Sequence, residues 1–348
     1  MKPGYQRIIT SSSDDRRDLF VATARRVGTT ERNVEKDFWV CWTIAALFQE
    51  RPSGSPRLLF KGGTSLSKAF GLIERFSEDI DITVFRDDLG QPVSIDELEA
   101  LSAKKRRAKL DEIRAACQQY LVEDLQPQLA AQLAAATRDA PSTEVVMDDL
   151  DPDGQTILVR YPSVFAPDPY VRSVVRVECG AKSALDPHGV FVLTPYVAAD
   201  IPDSDLTVEG VTTILPERTF WDKVVIVHGL RAWFERRGEL RQEGQRVSRH
   251  YYDLHTIFPT DAGARALADR ALGRECVRHA AMFFGRSDFD LESAAAGRFA
   301  LGPNAAMLDG LRRDYDAMAG MIFGPVPAFD EVVASVATLE ARLVESRT

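Results

Sequence analysis

The chain has 348 residues, 45% of them hydrophobic and 27% charged, with a formal net charge of −9. That length buries the core of one large domain or two modest ones, and the composition is that of a soluble globular protein. The acidic balance argues against bulk, non-specific nucleic-acid binding but leaves room for a local basic groove.

Four cysteines, Cys41, Cys117, Cys179 and Cys276, stand far apart with no paired spacing. They read as reduced, mostly buried thiols rather than disulfides or a zinc site. The opening Met1-Lys-Pro-Gly-Tyr-Gln carries no apolar signal core, and no apolar run is long enough for a bilayer. A cytoplasmic protein without a membrane partner is the expectation.

In chain order, a helix is expected over 13–28 from a Ser13-Asp14 cap, and a second from about Arg32 to Gln49. The second has an apolar side made by Val34, Phe38, Trp42, Ile44, Ala45 and Phe48, with Lys36 and Asp37 solvated, in a local ion pair, or near a ligand. After the loop Arg51-Pro-Ser-Gly-Ser-Pro comes the stretch that organises the chain. Leu58 to Phe60 is a short apolar strand, Gly62-Gly63 a turn, and Thr64-Ser65 the opening of a helix whose apolar side is Leu66, Ala69, Phe70 and Ile73. A second strand follows in which Asp79, Asp81 and Thr83 alternate with Ile80, Ile82 and Val84. Period 2 places both aspartates on one face. Paired glycines let main-chain N–H groups approach a phosphate, and the helix start adds partial positive charge. Two carboxylates on one strand face can hold Mg²⁺.

Beyond Val84, residues 94–138 read as a long helical insertion. Its run Lys104-Lys-Arg-Arg-Ala-Lys109 is either a solvated helix face or a contact for an RNA backbone. Residues 142–197 are β-rich, with strands expected at 143–147, 156–161, 171–179 and 190–193. On the third of these, Glu178 shares a face with Arg176. Thr213 to Lys223 is expected to begin a helix, Pro216 suiting its first turn. Arg231 to Arg246 is arginine-rich, and Ser248-Arg-His-Tyr-Tyr-Asp-Leu-His opens another helix. From Pro259 onward the pattern is helical and reads as packing core.

The strand–turn–helix–strand stretch resembles the nucleotidyltransferase signature of the polymerase-beta superfamily. Phe60-Lys-Gly-Gly-Thr-Ser-Leu-Ser-Lys68 and Arg75-Phe-Ser-Glu-Asp-Ile-Asp81 are closer still to the bacterial AbiEii/AbiGii toxin family, as is Val34-Glu-Lys-Asp-Phe-Trp39. The gap from Gly63 to Asp79 is longer than the usual spacing, so the helix or its exit loop must carry the excess. The resemblance implies an α/β (α+β) fold with a small mixed nucleotidyltransferase-type sheet flanked by helices and an all-α C-terminal region. Residues 1–212 would form the nucleotidyltransferase domain and 213–348 a helical domain closing the active-site cleft.

It also implies roles. Asp79 and Asp81 would hold Mg²⁺, and Lys61, Gly62, Gly63, Thr64 and Ser65 would bind the NTP phosphates. Lys223 would contact the triphosphate, with Asp253, Arg249 and His250 orienting it or the nucleotide. Glu178 would be a third carboxylate, unless it merely pairs with Arg176 or Lys182. The implied function is an Mg²⁺-dependent nucleotidyltransferase acting as the toxin of a bacterial toxin–antitoxin or phage-defence pair. Its partners would be an NTP, an acceptor for which tRNA is one candidate, and an antitoxin. The rival readings are a small-molecule, antibiotic-type nucleotidyltransferase and an NTP-binding module without turnover.

Overall fold

The structure, a computed structural model, describes residues 2–138, 140–166, 172–241 and 246–345, the last in its main chain only. Three helices come first, α1 (Pro3–Thr10), α2 (Ser13–Val27) and α3 (Glu31–Phe48). Next are β1 (Leu58–Lys61), α4 (Gly62–Lys68) and β2 (Asp79–Val84). The helical insertion comprises α5 (Ile95–Ala100), α6 (Ala103–Tyr120) and α7 (Gln126–Thr137), the last two joined by a π-helical turn over Leu121–Leu125. Then come β3 (Glu144–Met147), β4 (Thr156–Arg160), β5 (Val174–Gly180), β6 (His188–Leu193) and β7 (Val208–Ile214). The remaining helices are α8 (Pro216–Arg237), α9 (Arg249–Ile257), α10 (Asp261–Ala268), α11 (Arg270–Phe284), α12 (Leu291–Ala295), α13 (Ala305–Met318) and α14 (Phe329–Glu345).

The seven strands form one mixed sheet in the order β3-β4-β5-β2-β1-β7-β6. β2 runs parallel to β5 and β1 parallel to β7, while the other pairs are antiparallel. Two elements were not expected from the sequence. One is α1. The other is β7, whose pattern is interrupted by Gly210 at φ +72° and which faces a register shift in β6. Thr213 therefore does not begin a helix. It pairs with Phe60 in the sheet, and α8 starts at Pro216, where a missing N–H costs nothing. The strand expected over 171–179 is β5, and Val171 lies outside the described residues, as do 242–245 of the arginine-rich segment.

The chain folds as two compact units that are not contiguous in sequence. The first comprises residues 1–69, 76–93 and 107–214 and holds the whole sheet. Helix α3 lies against β2, β5 and β7 and is buried on every side from Asn33 to Leu47 rather than on the expected stripe alone. Trp39 anchors it, stacked on Tyr161 at 5.3 Å and edge-on to Trp42 at 5.6 Å. The second unit comprises 70–75, 94–106 and 215–348. It is built around α8, which packs against α9, α10, α11 and α12. The expected helical insertion thus divides after Arg106, and the short segment Phe70–Arg75 leaves the sheet unit. There Arg75 bridges Ile322, and Phe323 donates its N–H to the Glu74 carbonyl at 2.7 Å.

Candidate active site

At the β1–α4 junction the backbone must reverse beside β2. Gly62 takes φ +81°, and a Cβ there would stand 1.9 Å from Asp81 Oδ2, so both backbone and space demand glycine. Lys61 is the register partner of Asp81, its Nζ 3.7 Å from Asp81 Oδ1. Thr64 and Ser65 are buried and their hydroxyls are engaged within the fold. Ser65 Oγ donates to the Gly62 carbonyl at 2.9 Å, and Thr64 Oγ1 lies between Ser77 Oγ (2.9 Å) and the Asp79 carbonyl. What Gly62–Thr64 can offer a ligand is therefore main-chain N–H, not side-chain oxygen, while the Ser65 N–H is used within the first helical turn. Helix α4 ends at Lys68 with Ala69 as its C-cap, so Ala69, Phe70 and Ile73 fall beyond it and the extra length resides in the exit segment.

Strand β2 sets Asp79 and Asp81 on the same side, and its parallel pairing with β5 puts Arg176 beside Asp79 and Glu178 beside Asp81. The Arg176 guanidinium lies 2.7 Å from Asp148 Oδ2, 3.5 Å from Glu178 Oε1 and 3.8 Å from Asp79 Oδ1. The face remains short of positive charge. Burial, with Glu178, Glu78 and Asp81 close by, pushes the Asp79 carboxyl up to about 7 against the pull of Lys36.

Two same-face carboxylates in a carboxylate-rich setting fit a divalent cation, which would relieve that repulsion. Among the described residues no three His, Cys, Asp or Glu side chains gather into a ready-made metal cluster. A two-carboxylate anchor suits Mg²⁺, which keeps waters and takes substrate phosphate oxygens as further ligands.

Glu35, Lys36 and Asp37 of α3 are interior rather than solvated. Lys36 Nζ pairs with Glu78 Oε2 at 2.5 Å, next to Asp79 in sequence. Asp37 accepts the Tyr196 N–H at 2.7 Å and pairs with Lys68, whose ammonium sits 3.4 Å from the centre of the Tyr196 ring. Glu35 accepts from Ser163 Oγ (2.5 Å) and the Val164 N–H (2.8 Å). These groups hold α3 to the sheet unit and are committed to their partners.

The second unit carries a different cluster. Asp253, wholly buried on α9, accepts a two-pronged bond from Arg75 at 2.7 and 2.9 Å and lies 2.6 Å from Lys223 Nζ on α8. Burial opposes its charge, but Arg75 and Lys223 overcome this and hold its carboxyl well below the usual range. Burial pulls the Lys223 ammonium down; Asp253 resists, while Arg75 and Arg249 add to the fall. His250 is also driven down, by burial first and then by Lys223 and Arg249, so its ring is neutral at pH 7. Two cations thus share one buried carboxylate, with Arg249 near by.

Arg75 and Asp148 were not assigned roles from sequence. Arg75 stands between Ile73 and Phe76, both buried. A charge in such a setting signals a buried partner, although not which one. Asp148 opens the loop after β3 and carries no local signal.

A model of the family described as nucleotidyl transferase AbiEii toxin, type IV toxin–antitoxin system, matches residues 45–335. No curated protein matches the chain. Among solved structures, the fold is similar to MenT4, a nucleotidyltransferase toxin from Mycobacterium tuberculosis H37Rv. The identity is 15% and the TM-score 0.50, with 94% of this chain and 89% of that one covered.

Proposed function

The chain belongs to the AbiEii family of nucleotidyltransferase toxins of type IV toxin–antitoxin systems, and we propose that it transfers a nucleotidyl group from an NTP to an RNA acceptor, with Mg²⁺ held by Asp79 and Asp81. The observation that carries the metal assignment is the β2 face, where the two aspartates share a side and the neighbouring carboxylates leave Asp79 under-neutralised. When bound there, Mg²⁺ would supply the positive charge that stabilises the reacting phosphate oxygens.

The protein's own residues have separate tasks. Main-chain N–H groups of Gly62, Gly63 and Thr64 donate to the β- and γ-phosphates, and Ser65 closes the first turn behind them. Lys61 holds the Asp81 side of the face. Glu178, half-exposed beside Asp81, takes the proton of the acceptor hydroxyl. Lys223 neutralises charge on the departing pyrophosphate, and Asp253 keeps the ammonium charged and aimed. Arg249 adds positive charge toward the same phosphates. In the cell, the activity arrests growth unless a cognate antitoxin is present, in a toxin–antitoxin or phage-defence setting within the cytoplasm.

Radiolabelled NTPs incubated with total RNA, protein extract and aminoglycosides test this reading. Label should enter RNA and be absent with Asp79→Ala. Label in an aminoglycoside would identify the small-molecule reading, and NTP binding without transfer the non-catalytic one. Expression without the antitoxin should arrest growth, with Asp79→Ala relieving it. Equal arrest by both would point to a burden unrelated to catalysis.

A further inference from the structure

We propose that Arg176 is a built-in counter-ion of the carboxylate face and competes with the divalent cation for Asp79; this rests on the metal reading of Asp79 and Asp81 above. Three distances carry it. The guanidinium reaches Glu178 Oε1 at 3.5 Å and Asp79 Oδ1 at 3.8 Å, on the two strands that define the face, and Asp148 Oδ2 at 2.7 Å.

The three carboxylates are not equivalent. The Asp148 side chain is 6% exposed, against 29% for Asp79 and 45% for Glu178. Its other oxygen, Oδ1, accepts the Leu150 N–H at 3.1 Å, so it is a fixed post beside β3. It grips the guanidinium at hydrogen-bond distance, while Asp79 and Glu178 feel it mainly as a nearby charge. Arg176 is thereby held at the edge of the face. It is near enough to offset the repulsion among carboxylates, yet not locked onto Asp79, the metal ligand it approaches.

A positive charge a few ångströms from a cation site weakens that site by simple electrostatics. Removing Arg176 should therefore strengthen metal binding. Releasing it from Asp148 should let it settle more closely on Asp79 and Glu178 and weaken metal binding. Asp148→Asn also deletes a negative charge near the face, so the deciding contrast is Arg176→Gln against Arg176→Lys, and a purely architectural arginine would leave Mn²⁺ affinity unchanged in both.

The measurement is Mn²⁺ binding to the full chain without nucleotide, by electron paramagnetic resonance of the free ion. Circular dichroism confirms folding of each variant. Arg176→Gln should bind Mn²⁺ about ten-fold tighter than wild type, the order expected for one unit charge at a partly exposed site. Arg176→Lys, which keeps the charge, should stay near wild type. Asp148→Asn should bind several-fold more weakly. Should that variant fail to fold, the Gln and Lys variants decide alone.

Asp79→Asn distinguishes the two levels of inference. If Asp79→Asn abolishes Mn²⁺ binding while Arg176→Gln leaves it unchanged or weaker, Arg176 is no competitor and the metal reading stands. If Asp79→Asn binds Mn²⁺ like wild type, the metal reading fails and this inference with it.

Discussion

Asp79, Asp81 and Glu178 are placed by strand register and stay 28–45% exposed, whereas Asp253 is wholly buried and gripped by residues far away in the chain. The sheet face has too few cations for its carboxylates, and burial together with these neighbours pushes the Asp79 carboxyl up to about 7. The α8–α9 cluster has the reverse imbalance, with Lys223 and Arg75 sharing one carboxylate and Arg249 near by. A partly exposed surplus of one sign can be completed by an incoming ion at little cost to the fold. A buried cluster is also part of the core, because each of its charges depends on the others for solvation. The two regions should therefore respond differently to the loss of a single charge.

The largest separation is expected from Asp81→Asn. Transfer should fall by roughly 10²–10³ or more, the scale for loss of a group that stabilises reacting charge. The melting temperature should move little, since the side chain is part-exposed and no apolar surface is uncovered. A near-wild-type rate under limiting Mg²⁺ would remove this pair as the metal anchor.

Asp253→Asn should cost activity and fold together. It leaves Arg75 and Lys223 buried without their counter-charge, a defect worth about 3–5 kcal/mol. Urea denaturation is the check, and a loss of activity at unchanged midpoint would mean the cluster is not structural. Lys223 adds a pH test. Its ammonium is drawn below the ordinary lysine value of 10.5 by burial and by Arg75 and Arg249, against Asp253. The charge is thus lost earlier as pH rises, and transfer should decline on the alkaline side from below 10.5. Lys223→Arg, charged throughout, should abolish that alkaline limb at a reduced maximal rate. An unchanged limb would assign it to another group.

The same contrast explains what the sequence disclosed. The sheet face was legible because its information is local: Asp79 and Asp81 are two residues apart, and period 2 alone puts them together. Glu178 and Arg176 were visible as sharing a strand face, although only the β2–β5 pairing shows which aspartate each stands beside. The Arg75–Asp253 bond joins residues 178 apart, and nothing in either neighbourhood names the other. Lys36 and Asp37 look like surface charges from spacing, yet each lies in the interior beside a partner from a distant segment. β7 was missed because Gly210 breaks its alternation, and its identity as a strand depends on pairing with β1 and β6.

Gly62→Ala probes the sheet face through its backbone. The added methyl group would overlap Asp81 Oδ2 and the residue would be held at φ +81°. We expect a stability loss of about 1–2 kcal/mol from the left-handed backbone and a fall in transfer of roughly ten- to a hundred-fold as the Asp81 carboxylate is displaced. Crystallographic comparison of Asp81 in the two proteins would show the displacement. Unchanged transfer would mean that the close approach of Gly62 serves folding alone.

The smallest effect is expected where the second unit carries exposed charge, at Lys104 and Lys105 near the start of α6. Of the acidic residues of α5, Asp96 and Glu99 are held by Arg278 at 2.5 and 2.7 Å, and Glu97 closes the capping box with Ser94. Arg106 differs, because its guanidinium lies 3.4 Å from the Met282 sulfur and belongs to the packing. Reversing only Lys104 and Lys105 to Glu spares that contact. If the run meets an RNA backbone, acceptor affinity should fall several-fold at low salt, and the slope of log affinity against log salt should flatten by about 1–2. NTP affinity and melting temperature should stay as they were, unlike the stability of Asp253→Asn. Acceptor affinity that is unchanged at every salt concentration would make these lysines a solvated helix face. The case for RNA as the acceptor would then have to stand without them.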